Sequence, residues 1–230
     1  MLVPEIKAAK GFAYDASPQG SPEWIALRAG KVTASRLTDW LAVSKRDGKP
    51  LKARKDYELE LQFERQFKVP FTRFVTRAME EGVAAEDEVA NQYASLTGNP
   101  VEACGAFYSK DFVASPDRLV GEDCLLEIKW LYDMSFMDIL QNGVPDNYML
   151  QIQGQLMATG RKWCDFAAGN GNTNKMKVIR VKRDTAIIKQ IKESLASLDD
   201  MFGEFDVDGI YTMTTPMDFE GKQTEGDIWV

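Results

Sequence analysis

The apolar pattern of this 230-residue chain changes its period sharply near Gly98, and that change restricts the fold more than any other feature. Up to Leu96 apolar side chains recur at helical spacing, and Gly98-Asn99-Pro100 then forms a helix stop signal. Beyond it, Val101 to Tyr108, Phe112 to Ala114, Arg118 to Val120 and Cys124 to Trp130 are short apolar or alternating runs set apart by Asp, Gly and Pro. Such runs read as the strands of a hairpin-rich sheet. Helical spacing returns from Asp146, taken as a cap, to Thr159 before Gly160; Trp163 to Ala168 and Met176 to Lys182 read as two more strands; Asp184 caps a helix to about Met201. Helices, a meander, then helix, strands and helix fit an α/β or α+β three-layer domain with a mixed central sheet flanked by helices.

Before the stop signal, Ser21-Pro22-Glu23 marks a short helix from Pro22 to Arg28, and a second begins near Thr33 with Leu37, Trp40 and Leu41 at helical spacing. The polar, glycine-containing stretch from Ser44 to Pro50 reads as a mobile basic loop before helices at about Ala53 to Phe67 and Phe74 to Leu96. Gly203 to Val230 reads as an extended tail or surface wrap.

The chain contains no histidine. This excludes Ser-His-Asp and Cys-His nucleophiles, an imidazole general base and His-ligated zinc, haem or iron. Acid-base and metal work must then fall to carboxylates, lysines, amides, hydroxyls or water, which suit hard cations such as Mg²⁺, Mn²⁺ or Ca²⁺. The hydrophobic share of 44% and charged share of 27% are those of a folded globular protein. Three cysteines form no C-x-x-C pair, and no signal-type apolar segment opens the chain at Met1-Leu2-Val3-Pro4-Glu5, so reduced thiols and a cytoplasmic protein are expected. The apolar run of about 18 residues that a transmembrane helix needs is missing, and no membrane partner is expected.

A formal charge of −7 argues against nucleic acid only until it is resolved by segment. Arg28 to Lys55 holds nine basic residues against two acidic ones, and Lys175 to Arg183 adds five basic residues and no acid. Asp199 to Val230 holds nine acids and a single lysine.

Alternation along a strand places Cys124, Leu126, Ile128 and Trp130 on one face and Leu125, Glu127 and Lys129 on the other. A glutamate and a lysine thus point together from a nearly apolar strand, where a charge needs a partner or a metal. The acid-x-Lys pattern alone occurs four times in the chain, but only this copy lies in an apolar strand. Only here is a second acid placed to converge, because the turn near Val120 to Asp123 folds Asp117 back beside Glu127. A surface cross-strand ion pair is the plainer alternative. Glu86, one turn after Gly82, sits amid Glu80, Glu81, Asp87 and Glu88, equally a solvated acidic face. Tyr148, Gln151, Gln153 and Gln155 intervene among the apolar residues of the Asp146 helix; Gln153 falls near the Met149/Ile152/Leu156 stripe and, if buried, needs a partner.

Four blocks in this order resemble the bacteriophage lambda exonuclease family of viral recombination nucleases, in the PD-(D/E)xK, restriction-endonuclease-like superfamily. They are Trp24-x-x-Leu27-Arg28-x-Gly30-x-x-Thr33-Ala34-Ser35; Gly82-x-x-x-Glu86; Ser115-Pro116-Asp117 with Leu126-Glu127-Ile128-Lys129; and Tyr148-Met149-x-Gln151-x-Gln153. The resemblance implies that Asp117, Glu127 and the Ile128 carbonyl hold catalytic Mg²⁺, with two ions per site and Mn²⁺ as a substitute. It implies that Lys129 orients or activates the attacking water, that Glu86 supports the second ion, and that Gln153 positions phosphate or water. Arg28, Ser35 and Ser115 would hold a terminal 5′-phosphate, Arg46 would reach the duplex, and Met79 matches the stretch of an apolar wedge. Arg28 as a cation at a helix C-terminus and Ser35 as a first-turn hydroxyl are the structural alternatives.

On this resemblance residues 1–202 form one nuclease domain: a helical DNA-binding part at 1–98, a catalytic sheet at 99–183 and a helix at 184–201, with an acidic tail at 203–230. The implied activity is Mg²⁺-dependent 5′-to-3′ digestion of one strand at double-stranded DNA ends, releasing mononucleotides and leaving a 3′ single strand for a single-strand annealing protein. A homotrimeric ring acting in the bacterial host cytoplasm is also implied. A structure-specific endonuclease of the same superfamily and a non-catalytic DNA-end-binding adaptor are the rival readings.

Overall fold

The computed structural model describes residues 6–72, 76–196 and 198, without the side chains of residues 78 and 79. The acidic tail at 203–230 therefore lies outside the described residues. In chain order the elements are β1 (Ala13–Asp15), α1 (Pro22–Arg28), β2 (Val32–Thr33), a 3-10 turn (Ala34–Arg36), α2 (Leu37–Trp40), α3 (Lys52–Phe67), α4 (Arg77–Thr97), β3 (Val101–Ala103), β4 (Ala106–Tyr108), β5 (Phe112–Ala114), β6 (Arg118–Val120), β7 (Cys124–Trp130), α5 (Asp133–Asn142), α6 (Asp146–Thr159), β8 (Trp163–Asn170), β9 (Lys175–Lys182) and α7 (Thr185–Leu195).

Local chemistry explains most of these limits. Ser21 accepts a hydrogen bond from the Trp24 N–H at 3.2 Å and starts α1 with Pro22 in the first turn. Asp184 does the same for α7, accepting from the N–H groups of Ala186 and Ile187 at 2.8 and 3.1 Å. Asp146, expected as a cap, is instead the first residue inside α6; Pro145 holds the capping position.

The fold is α/β, of the restriction-endonuclease-like kind. Its mixed sheet has five strands in the order β3-β6-β7-β8-β9, with β7 and β8 parallel and the remaining pairs antiparallel. Parallel neighbours need a long crossover, which α5 and α6 provide. A second, four-stranded sheet in the order β1-β4-β5-β2 was not expected from the sequence, because β1 and β2 have only three and two residues and carry no periodic signal. The run from Val101 to Tyr108 is divided at Cys104 and Gly105, and its halves join different sheets. A Cβ on Gly105 would stand 2.1 Å from the Asp15 carbonyl oxygen, so β1 closes on β4 only over a glycine.

Strand β7 is the spine of the core. Leu125 packs with Ile152 and Leu156 of α6, while Cys124, Leu126 and Ile128 pack with Val89, Ala90 and Tyr93 of α4. Leu125, Leu126 and Phe166 are fully buried, each worth roughly 1.5–3 kcal/mol of removal from water. Helix α6 reaches α2 and β5 through Gly154, where a Cβ would lie 2.6 Å from Leu37 Cδ1 and 3.0 Å from Phe112 Cζ.

The three cysteines are free thiols, two of them buried. Among the described residues no helix is long and apolar enough to cross a membrane.

Candidate active site

Antiparallel pairing sets Arg118 opposite Leu126 and Leu119 opposite Leu125, so continuing the register by one residue brings Asp117 opposite Glu127. Asp117 Oδ2 accepts a hydrogen bond from the Ile128 N–H at 2.6 Å, which locks the acid onto β7. Both carboxylates are buried, Glu127 completely and Asp117 to 8% exposure. Glu127 lies on the α6 side of β7 and meets three donors there. Lys129 Nζ pairs with its Oε1, Gln151 Nε2 donates to the same oxygen at 2.6 Å, and Gln155 Nε2 donates to Oε2 at 2.6 Å. The Lys129 ammonium also sits 5.4 Å from the centre of the Tyr148 ring.

The electrostatics follow from that crowding. Burial, reinforced by the charge of Glu127, pushes the Asp117 carboxyl well above the usual carboxylate range. Burial works against the Lys129 ammonium, but Glu127 and Asp117 outweigh it and hold its pKa above the ordinary value. Glu86 on α4 is raised chiefly by burial, with Arg118 and Lys129 acting in the opposite direction.

Arg118, absent from the sequence-derived site, joins α4 to the hairpin. Its guanidinium donates to the Asp117 carbonyl at 2.6 Å, lies 3.8 Å from Glu86 and pairs with Asp87. The available signal was its register: opposite Leu126, it falls on the α4 face of the sheet.

The N-terminal block forms one wall beside this hairpin. Trp24 Nε1 donates to Ser115 Oγ at 2.9 Å, and the Arg28 guanidinium stacks 4.0 Å from the Trp24 ring centre. Gly30 is pinned by α3, its N–H donating to Glu64 at 2.7 Å and its carbonyl accepting from Arg65 at 2.8 Å. Strands β2 and β5 pair in parallel with Thr33 opposite Val113, so the chain beyond each leads to Ser35 and Ser115 respectively. Ser35 is exposed, with its hydroxyl 3.2 Å from Thr33 Oγ1.

Two sequence-derived residues, Gln153 and Arg46, are not brought to the carboxylates. Gln153 points away from Gln151 and Gln155, as a two-residue step on a helix requires. Its Nε2 donates to the Lys182 carbonyl at 2.8 Å and its Oε1 accepts from the Asp184 N–H at 2.8 Å, so it ties α6 to the β9–α7 turn. Arg46 is 91% exposed in a turn closed by the Val43–Pro50 bridge, 3.9 Å from Asp47. The Met79 side chain lies outside the described residues. The basic segment is also less available than its composition suggests: Arg36 bonds Asp39 and Glu60 at 2.5 and 3.1 Å, and Arg54 bonds Glu58 at 2.5 Å.

The donor chemistry suits a hard divalent cation. Asp117 and Glu127 offer carboxylate oxygens from adjoining strands, and the buried Oε1 of Gln155 has no hydrogen-bond partner among the described residues. Among the described residues no three His, Cys, Asp or Glu side chains converge on one point, so backbone or amide oxygens or water would have to complete a coordination shell.

The model of the YqaJ-like viral recombinase domain matches residues 23–162, which contain every element of this cluster. The chain belongs to that family. This bears out the resemblance to the lambda exonuclease family drawn from the sequence. Among solved structures, the alkaline exonuclease LHK-Exo from Laribacter hongkongensis is 31% identical, with a TM-score of 0.69 over 79% of this chain and 92% of that one. Its complex with dAMP gives 30% identity and a TM-score of 0.70 over the same shares. A phage related exonuclease from Haemophilus somnus 129PT shares the fold at 14% identity, with a TM-score of 0.64 over 75% of this chain and 93% of that one. No curated protein sequence matches the chain.

Proposed function

We propose that this viral recombinase-family chain is a DNA exonuclease that degrades one strand of duplex DNA from its end in the 5′-to-3′ direction. It uses Mg²⁺, releases 5′-mononucleotides and leaves a 3′ single strand for an annealing protein. The observation that carries the reading is the convergence of Asp117, Glu127 and Lys129 on the β6–β7 hairpin, in a family whose structural relatives are described as exonucleases.

Asp117 and Glu127, with the Ile128 carbonyl, would hold the cation, and Glu86 would support a second one. A divalent cation held there would supply charge neutralisation at the scissile phosphate and ease deprotonation of water. Lys129, fixed by Glu127, directs a positive charge and a donor at the attacking water. Gln151 holds Glu127 Oε1 from the other side. The Arg28–Trp24–Ser115 wall, with Ser35, receives the 5′-phosphate through donors that a guanidinium and hydroxyls provide. A trimeric ring would keep the enzyme on its duplex.

The deciding experiment compares linear 5′-phosphorylated, linear 5′-hydroxyl and covalently closed circular duplex, with and without Mg²⁺. Digestion of linear ends alone, dependent on the cation, is the expected result. Cutting of circles replaces the reading with an endonuclease; salt-sensitive binding without cleavage replaces it with an end-binding adaptor. Arg28→Ala is expected to slow digestion of 5′-phosphorylated ends selectively, and an equal loss on both end types would remove Arg28 from phosphate recognition.

A further inference from the structure

Gln155 lies one helical turn after Gln151 on the same face of α6 and is completely buried. Its Nε2 donates to Glu127 Oε2 at 2.6 Å and stands 3.4 Å from the Ser115 carbonyl oxygen. The orientation of the amide is dictated by Glu127, since an ionised carboxylate only accepts and must face the nitrogen. The oxygen left over, Oε1, is buried and has no hydrogen-bond partner among the described residues. Pairing with Glu127 accounts for the amide nitrogen but not for the oxygen, whose burial without a partner costs free energy that folding alone does not return.

We propose that Gln155 is a positioning residue of the nuclease site. Its amide nitrogen fixes the plane of Glu127 against the Ser115 segment, and its free carbonyl oxygen takes a hydrogen bond from a water beside Glu127 when a divalent cation is bound. The inference rests on the nuclease reading and assigns cation affinity and turnover, but not DNA affinity, to this glutamine. It also makes Gln155 the link between two parts of the site. Ser115 Oγ holds Trp24, under Arg28, while the Ser115 carbonyl and Glu127 share the Gln155 amide.

The test uses the full chain with Gln155→Met, and Gln155→Leu should the first variant fail to fold. Mn²⁺ and Mg²⁺ binding is measured by titration calorimetry without DNA, beside kcat and KM on 5′-phosphorylated linear duplex and the cation-free melting temperature. Cation affinity and kcat should each fall about 10- to 100-fold, as when a partner of a metal ligand is lost. KM for DNA should stay within about twofold of the parent, while the cation-free protein loses some stability with the donor to Glu127 Oε2. A structural role alone would lower the melting temperature and leave cation affinity in place, so cation affinity is the deciding readout. Unchanged cation affinity and kcat overturn the proposal, as does failure of both variants to fold. A parent protein that binds cation but digests no linear duplex removes the nuclease reading itself; an active parent matched by an equally active variant removes only Gln155.

Discussion

Asp117 takes the backbone N–H of Ile128 at 2.6 Å, so a side chain just ahead of one strand is tied to the strand that carries Glu127 and Lys129. An asparagine can accept that hydrogen bond with its own carbonyl, whereas it brings no negative charge to the site. Asp117→Asn should therefore keep the fold and DNA-end binding while digestion falls by at least about 100-fold. Because burial and Glu127 raise this carboxyl, its charged form weakens the folded state at neutral pH, and the variant should melt at the same temperature or higher. Retained digestion would take Asp117 out of the cation site.

Lys129→Met keeps the length of the side chain and removes its charge. The Glu127 carboxylate then keeps Gln151 and Gln155 as donors but loses its counter-charge. Single-turnover digestion should slow by about 10²–10⁴-fold, the usual contribution of a group that manages a proton at the reacting atoms. Cleavage within a few-fold of the parent would assign the lysine to structure.

On the opposite face of the sheet, Asp165 accepts Arg180 Nε and Nη2 at 2.8 and 2.9 Å and the Tyr93 hydroxyl at 2.7 Å. Burial raises its pKa, but these donors prevail and the net shift is downward. A carboxyl depressed in the folded state contributes stability above its unfolded pKa of about 3.9, and that contribution is lost as pH falls through the folded value. Asp165→Asn should cost roughly 1–3 kcal/mol at pH 7, with Arg180 half exposed and screened. Melting curves of the two proteins should approach each other below about pH 4; a gap that widened in acid would contradict the assignment.

Gly154 faces Leu37 and Phe112, both fully buried. A Gly154→Val change adds a branched side chain where a single methyl already collides, and overpacking of this kind costs about 1–3 kcal/mol. Chemical denaturation should show the loss, and activity should fall with it, because α6 carries Gln151 and Gln155. A neutral effect would mean that α6 moves freely against α2 and β5.

The hairpin of the candidate site was legible because the apolar run of β7 and the turn before it determine both pairing and face. Alternation put Glu127 and Lys129 on one face, and the turn near Val120 to Asp123 brought Asp117 beside them. The role of α6 was not legible in the same way. Ile152 to Thr159 are all buried, so the helix has no single apolar stripe from which to choose a polar face. Gln153 was singled out beside the apolar stripe, while the i,i+4 pair Gln151 and Gln155 meets Glu127. Helix α5 escaped notice because its buried Phe136 and Ile139 are mixed with exposed Met134, Met137 and Leu140. The net charge of the segment from Arg28 to Lys55 hides pairing: Arg36 meets Glu60 of α3, a contact that composition does not record, while Arg54 pairs with Glu58 one turn on within α3.

Gly105 carries no chemistry, yet the Asp15 carbonyl leaves no volume for a side chain above it. Aligned relatives that keep the β1–β4 pairing should hold glycine there as strictly as they hold the acids of the hairpin. Ranking positions by invariance would then place a packing residue among the candidate catalytic ones, and only a substitution assayed for folding as well as cleavage would separate the two kinds of constraint.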